Sequence, residues 1–390
     1  MSTNPSTLAR HYSRFRVSER LLLTGHSHQA WPDVGFDAQQ QAWLDAAEFV
    51  DDKWEHAAVQ ADHVRTGFAR LLGVPADQIA LGQNTHELVT RWLSALPLAE
   101  RPRLITTGGE FHSLRRQMSR LAEGPLDVAT VAAVPVETLA ERLARGVDER
   151  TAAVLVSSVM YETAAIVPHL DTLAEACRRL GVRLLIDAYH HLNVVPFDVA
   201  AMGVHDAFVT GGGYKYCQLG EGNCFLRVPP GTRMRPLLTG WFAEFEALEA
   251  AAPHTVAYAP GAAAFAGATY DPTSHYRAAA VFRFFEAHGL TPDTLRALSR
   301  RQIGLLESAF ARLDLDPASA RLEAMPADRR AGFLAVHVPA APEVAGALRR
   351  RGVFVDARGD ILRLGPAPYV TDDQIEAAVG ALGEALRAVR

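Results

Sequence analysis

From Asp33 to Leu72 apolar residues recur at helical spacing: Trp43, Ala46, Ala47 and Val50, then Val59, Val64, Phe68, Leu71 and Leu72. That period predicts amphipathic helix. From Ile79 to Pro272 the pattern changes. Short apolar runs at 78–81, 103–106, 153–156, 183–186 and 207–210 alternate with helical patterns, such as those at 86–96 and 170–180. Buried strands alternating with helices predict an α/β domain on a mostly parallel sheet, flanked by helices. The last stretch differs. Helical patterns at 276–287, 291–313 and 342–350 are interleaved with strand-like runs at 333–338, 353–355 and 361–364, and a final helix starts near Thr371. This predicts a smaller α+β domain. The expected division is a large domain over 50–270 and a smaller one built from both termini, 1–49 and 271–390.

Composition narrows the function. A chain of 390 residues with a net charge of −5 and no block of like charge is a poor surface for nucleic acid or acidic membrane. No apolar run approaches the roughly 20 residues that span a bilayer, and the first twenty residues lack the apolar segment of a secretory signal. Three cysteines, Cys177, Cys217 and Cys224, form no disulfide framework, which leads us to expect a cytoplasmic protein. His26 and His28 make an H-x-H without an adjoining carboxylate motif, so no metal is expected.

Candidate chemistry starts with a scarcity. Among 39 basic residues only Lys53 and Lys215 are lysine. Lys215 lies in Gly211-Gly212-Gly213-Tyr214-Lys215-Tyr216, where a neutral amine, which Arg cannot supply, would be the reason to keep lysine. Asp187 ends the run 183–186, and ligands of parallel sheets collect at the carboxyl ends of strands. Alone, Asp187 reads better as a cap of the next turn. Together, Asp and Lys meet the needs of a cofactor with a pyridine nitrogen and an aldehyde: the carboxylate keeps the nitrogen protonated, and the amine holds the aldehyde as a Schiff base. Gly82-Gln83-Asn84-Thr85-His86 opens a helix and offers its N-terminus to a phosphate, or Asn84 and Thr85 are ordinary caps. In Glu110-Phe111-His112-Ser113, Phe111 is a stacking aromatic or a core one.

In this order the motifs resemble fold-type I pyridoxal-phosphate enzymes of the class V aminotransferase group, most closely the kynureninase-like branch. Gly25-His26-Ser27-His28-Gln29 resembles the Gly-Asn-Ser-Leu-Gly loop. Ser158-Val159-Met160-Tyr161-Glu162-Thr163 resembles the strand before the ring-binding residues. Asp187-Ala188-Tyr189-His190 resembles Asp-x-x-His, and Tyr214-Lys215-Tyr216 resembles Tyr-Lys-Tyr. Gly240-Trp241-Phe242 resembles Gly-Trp-Trp/Phe, and the segment from Arg363 to Pro368 resembles Arg-x-x-Pro-x-Pro. The resemblance implies pyridoxal 5'-phosphate as cofactor, an amino acid as substrate and a homodimer with shared active sites. Lys215 would carry the cofactor and then move the α-proton, with Tyr214 assisting as an acid. Asp187 would pair with the ring nitrogen, and Phe111 would stack on the ring with His112 beside it. Asn84, Thr85, His190 and Tyr214 would hold the phosphate, with Trp241 and Thr269 reaching across the dimer interface. Arg363 would clamp the substrate carboxylate, with His28 and Tyr270 near the substrate.

The chain departs from the kynureninase pattern mainly where a side chain would be recognised. Leu114 stands in place of an Asp, Thr269-Tyr270-Asp271-Pro272 in place of Ser-Asn-Pro-Pro, and Ala243-Glu244 where Gly-His is common. No cysteine follows Cys224, which argues against a persulfide-forming desulfurase. The expectation is a kynureninase-like hydrolase or lyase cleaving a side-chain bond of an amino acid other than kynurenine. A class V aminotransferase is the alternative, and a non-enzymatic relative comes third.

Overall fold

A computed structural model describes residues 4–250 and 254–388. Its centre is a seven-stranded sheet. In spatial order the strands are Ile79–Gly82, Cys224–Arg227, Phe208–Gly212, Arg183–Asp187, Thr151–Ser157, Arg103–Thr107 and Asp127–Val131. Cys224–Arg227 pairs antiparallel with both neighbours, and the other contacts are parallel. Thr151–Ser157 is buried along its whole length, as expected of a central strand covered on both faces. The five apolar runs of the alternating region are all strands here. Two further strands, Asp127–Val131 and Cys224–Arg227, carried too little pattern to stand out: the first is a half-exposed edge, the second a four-residue return strand.

The helical reading of 33–72 resolves into two helices, Val34–Phe49 and Lys53–Leu72. They separate at Val50, whose φ of 51° is left-handed and cannot continue a right-handed helix. Both pack on Thr273–Ala287, which is buried along most of its length. Towards the C-terminus a four-stranded antiparallel sheet runs in the order Asp356–Arg358, Ile361–Leu364, Leu334–His337, Arg321–Leu322. The helices Pro292–Ala311 and Asp372–Ala388 pack together beside it.

The N-terminal segment is sewn into this C-terminal region. Leu21–Leu22 pairs in parallel with Val353–Phe354. Beyond it, the Gly25 N–H donates to the Gly365 carbonyl (2.7 Å) and the Gly365 N–H to the Leu23 carbonyl (2.8 Å). The approach needs glycine, since a Cβ on Gly25 would stand 2.8 Å from the Pro366 carbonyl oxygen. No helix among the described residues is long and apolar enough to cross a membrane.

Candidate functional site

The parallel strands deliver their carboxyl ends to one edge of the sheet, and the chemistry-bearing residues gather there. Asp187 closes its strand, Ser157 lies beside it in register on the next, and Lys215 follows Phe208–Gly212 by three residues. Thr85 starts the helix Thr85–Leu93 just after Ile79–Gly82. These groups line a cavity of about 300 Å³ that includes Asn84, Thr85, Phe111, Asp187, His190, Tyr214 and Lys215.

Lys215 is 4% exposed. Burial pulls its amine down to about 7, against the opposing pull of Asp187, so much of it is uncharged at neutral pH. Its Nζ lies 2.8 Å from His190 Nε2 and sits over the Tyr189 ring at 4.4 Å and the Phe111 ring at 5.2 Å. His190 is held well below the usual histidine range by burial, and next by Lys215 and Arg363, so the contact is between neutral groups or with a charged lysine. His190 Nδ1 is buried with no hydrogen-bond partner. Asp187 is raised by burial, although its Oδ1 accepts from the Tyr189 N–H (2.8 Å) and Lys215 favours its charge.

Asn84 caps the helix Thr85–Leu93, its Oδ1 accepting from the Glu87 N–H at 2.8 Å. The helix start, with its positive dipole end, opens on the cavity at Asn84, Thr85 and His86. The Tyr214 hydroxyl is pushed up to about 12 by burial, so it is a proton donor at neutral pH. His28 stacks on the Tyr214 ring (4.7 Å, 19°) and lies 3.7 Å from Glu221 at the cavity mouth. The loop after Lys215 is braced from the N-terminal segment: Gln218 Nε2 donates to Gln29 Oε1 (2.7 Å), and the Tyr12 hydroxyl donates to Gln218 Oε1 (2.6 Å).

Other expected residues lie elsewhere in the single chain. His112 does not line the cavity; its ring is tilted against that of Phe111 (5.2 Å, 51°) and meets Tyr161 edge-on (5.6 Å). Trp241, Thr269 and Tyr270 line a second, wider cavity, where Trp241 Nε1 donates to Thr269 Oγ1 (3.3 Å). Arg363 is 2% exposed and already bound: Nε (2.9 Å) and Nη2 donate to Asp356, and Nη1 donates to the Tyr161 carbonyl (2.5 Å). His26 Nε2 meets the same carboxylate at 2.7 Å. Burial alone would raise Asp356, but His26 and Arg363 hold it well below the carboxylate range. His26 is itself lowered to about 4 by burial, so the neutral ring donates from Nε2.

Sequence reasoning passed over Asp356 and Tyr189. A signal existed for each. Asp356 and Arg363 face one another across a hairpin turning at Gly359, and Tyr189 lies inside the Asp-x-x-His segment.

The cavity's donor set fits a phosphorylated pyridine aldehyde: a buried amine that loses its proton near neutrality, a part-buried carboxylate, an aromatic wall, a helix N-terminus and a His190 nitrogen unpartnered among the described residues. Comparison with known proteins agrees. Residues 294–382 match the kynureninase C-terminal domain family. A relative named "Uncharacterized aminotransferase YcbU", from Bacillus subtilis (strain 168), is 23% identical over 343 residues, 87% of each chain. The apo cysteine desulfurase from Thermococcus onnurineus NA1 superposes with a TM-score of 0.83 at 16% identity, covering 100% of both chains. The cystine C-S lyase C-DES, in complex with cysteine persulfide, gives 0.81 at 16% identity over 95% of this chain and 98% of its own. The chain has the fold-type I architecture of class V pyridoxal-phosphate enzymes, and its closing segment matches the kynureninase C-terminal family.

Proposed function

We propose that this chain is a pyridoxal-phosphate-dependent hydrolase or lyase that cleaves a side-chain bond of an amino acid. The observation that carries the reading is Lys215: a buried amine near pKa 7, facing Asp187 across a cavity with an aromatic wall. Lys215, Asp187, Phe111, Thr85, His190 and Tyr214 would hold the cofactor, with Asn84 shaping the helix start. Bound there, pyridoxal phosphate supplies an electron sink for bonds next to the amino-bearing carbon. Lys215, once free and uncharged, is placed to take the α-proton and return it. Tyr214, protonated at neutral pH, is placed to donate a proton to a leaving group. Arg363, fixed by Asp356 through Nε and Nη2 and by the Tyr161 carbonyl through Nη1, would clamp a carboxylate with the one N–H left on each of Nη1 and Nη2.

Trp241, Thr269 and Tyr270 lie off this cavity, which suits the further proposal of a homodimer in which the partner supplies them. We also propose the two-part division at 50–270, with 1–49 and 271–390 as the smaller part. His112 then braces Phe111, and His28 guards the mouth. The absence of any cysteine beyond Cys224 favours a lyase that needs no cysteine nucleophile over a desulfurase.

The test is direct. Protein loaded with pyridoxal phosphate and freed of excess should keep a visible absorption band, and borohydride should fix the cofactor covalently to the chain; a protein that keeps neither band nor covalent label would remove the reading. Amino acids should then be assayed singly for alanine, pyruvate, ammonia and sulfide. Turnover with no keto-acid acceptor added supports the hydrolase or lyase. Stoichiometric loss of the band with no turnover assigns the chain to the aminotransferases instead.

A further inference from the structure

Glu110 stands three residues past the strand Arg103–Thr107 and directly before Phe111, the cavity's aromatic wall. It is 1% exposed. Its carboxyl receives the Thr107 hydroxyl (Oε1, 2.6 Å), the Ser157 N–H (Oε1, 3.1 Å) and the Ser157 hydroxyl (Oε2, 2.6 Å). Ser157 is the register partner of Asp187 on the adjoining parallel strand. No Arg, Lys or His bonds to Glu110 among the described residues, and the titratable group acting on it is Asp187. Asp187 in turn faces Lys215 and the Tyr189 N–H. A buried carboxyl, Glu110, and a part-buried one, Asp187, thus flank one serine, and only Asp187 has a cation for company.

We propose that Glu110 is a positioning residue of the cofactor site: it pins the Phe111 wall to the sheet through Ser157, and by holding a proton it leaves the negative charge to Asp187. Adjacent buried carboxyls resist double ionisation, and the proton settles on the one without a cation. Burial holds Glu110 up at about 7, with the three donors opposing, which agrees with the geometry. A protonated Glu110 keeps every contact except one donor direction, because either hydroxyl can rotate and accept. The role as a cofactor-site residue rests on the reading of the cavity given above, whereas the pairing of Glu110 with Asp187 does not.

The test therefore begins without cofactor. Thermal melting of the apoprotein is followed from pH 5 to 9 in the wild type, Glu110→Gln and Asp187→Asn. A carboxyl raised on folding contributes stability below its unfolded pKa and loses it as pH rises through the folded value. Wild-type melting temperature should fall from about pH 5 to about pH 7 and level off above it, Glu110→Gln should lack that component, and in Asp187→Asn it should end at lower pH. A wild-type profile identical to that of Glu110→Gln overturns the proton-holding role, and an unmoved component in Asp187→Asn overturns the coupling. Should Glu110→Gln fail to fold, Ser157→Ala serves: losing a donor to the carboxylate should move the component to higher pH, and no movement overturns the contact. With pyridoxal phosphate added, Glu110→Gln, neutral like the protonated carboxyl, should keep the wild-type pH midpoint of the bound absorption, whereas Glu110→Ala, which releases Ser157 and the Phe111 wall, should move it; a midpoint displaced in Glu110→Gln or unmoved in Glu110→Ala overturns the effect on the site. A wild-type protein that takes up no pyridoxal phosphate defeats the cofactor reading and its dependent role for Glu110, while the melting profiles still decide the carboxyl pair.

Discussion

At the residue scale the site works by withholding water from charges. Lys215 is buried with Asp187 as its balancing charge and His190 as its contact, and an amine in that setting loses its proton near neutrality. Arg cannot follow it there, because the guanidinium stays charged. Lys215→Arg treated with pyridoxal phosphate and borohydride, then denatured and desalted, should therefore carry no covalently bound cofactor, and wild-type labelling in that variant would refute the assignment. Arg363 shows the opposite strategy. Its charge is retained because Asp356 shares it, backed by His26. Removing one partner of a buried pair leaves an unbalanced charge. Asp356→Asn should lower stability by about 3 kcal/mol in urea unfolding. It should also raise KM for the amino-acid substrate more than it changes kcat, since a clamp loosened in ground and transition states alike affects binding first.

At the level of elements, helix and strand identities were largely legible, and some side-chain assignments were not. The runs at 103–106, 183–186 and 361–364 are strands because each is a short apolar segment flanked by polar or turn residues, and sheet burial needs nothing more. Asp127–Val131 escaped because an edge strand exposes half its residues, and Val50 broke a helix whose apolar period ran straight through it. In the site, Lys215 and Asp187 could be paired from sequence because consecutive parallel strands must end on the same side. The Asp356 to Arg363 link had only the short hairpin at Gly359 as its signal, and that pairing gains meaning once the burial of Arg363 is known. Asn84 turned out to be a true cap as well as a cavity residue. Asn84→Ala should cost about 1 kcal/mol of stability, read by thermal or urea unfolding, and should weaken pyridoxal phosphate uptake as the helix start loosens.

At the scale of the whole molecule, the single chain leaves large apolar side chains in solvent. Trp43 is 79% and Leu237 85% exposed, and Trp241 and Phe245 are roughly half exposed. Exposed apolar surface of this kind marks contact sites, and Trp241 borders the wide second cavity. Sedimentation should find a dimer at micromolar concentration, and Trp241→Glu should shift it towards monomer and weaken cofactor retention. A wild-type monomer would remove the shared-site proposal. The backbone exchange between Gly25 and Gly365 bears on how the protein is made. On the ribosome, Gly25 emerges early and must wait for nearly the whole chain before it meets its partner. The strands around Lys215 and Asp187 can pair first, whereas Arg363 and its Asp356–His26 support come together only after the last hairpin has left the exit tunnel. A nascent chain could thus gain the ability to hold a cofactor before it gains the ability to choose a substrate.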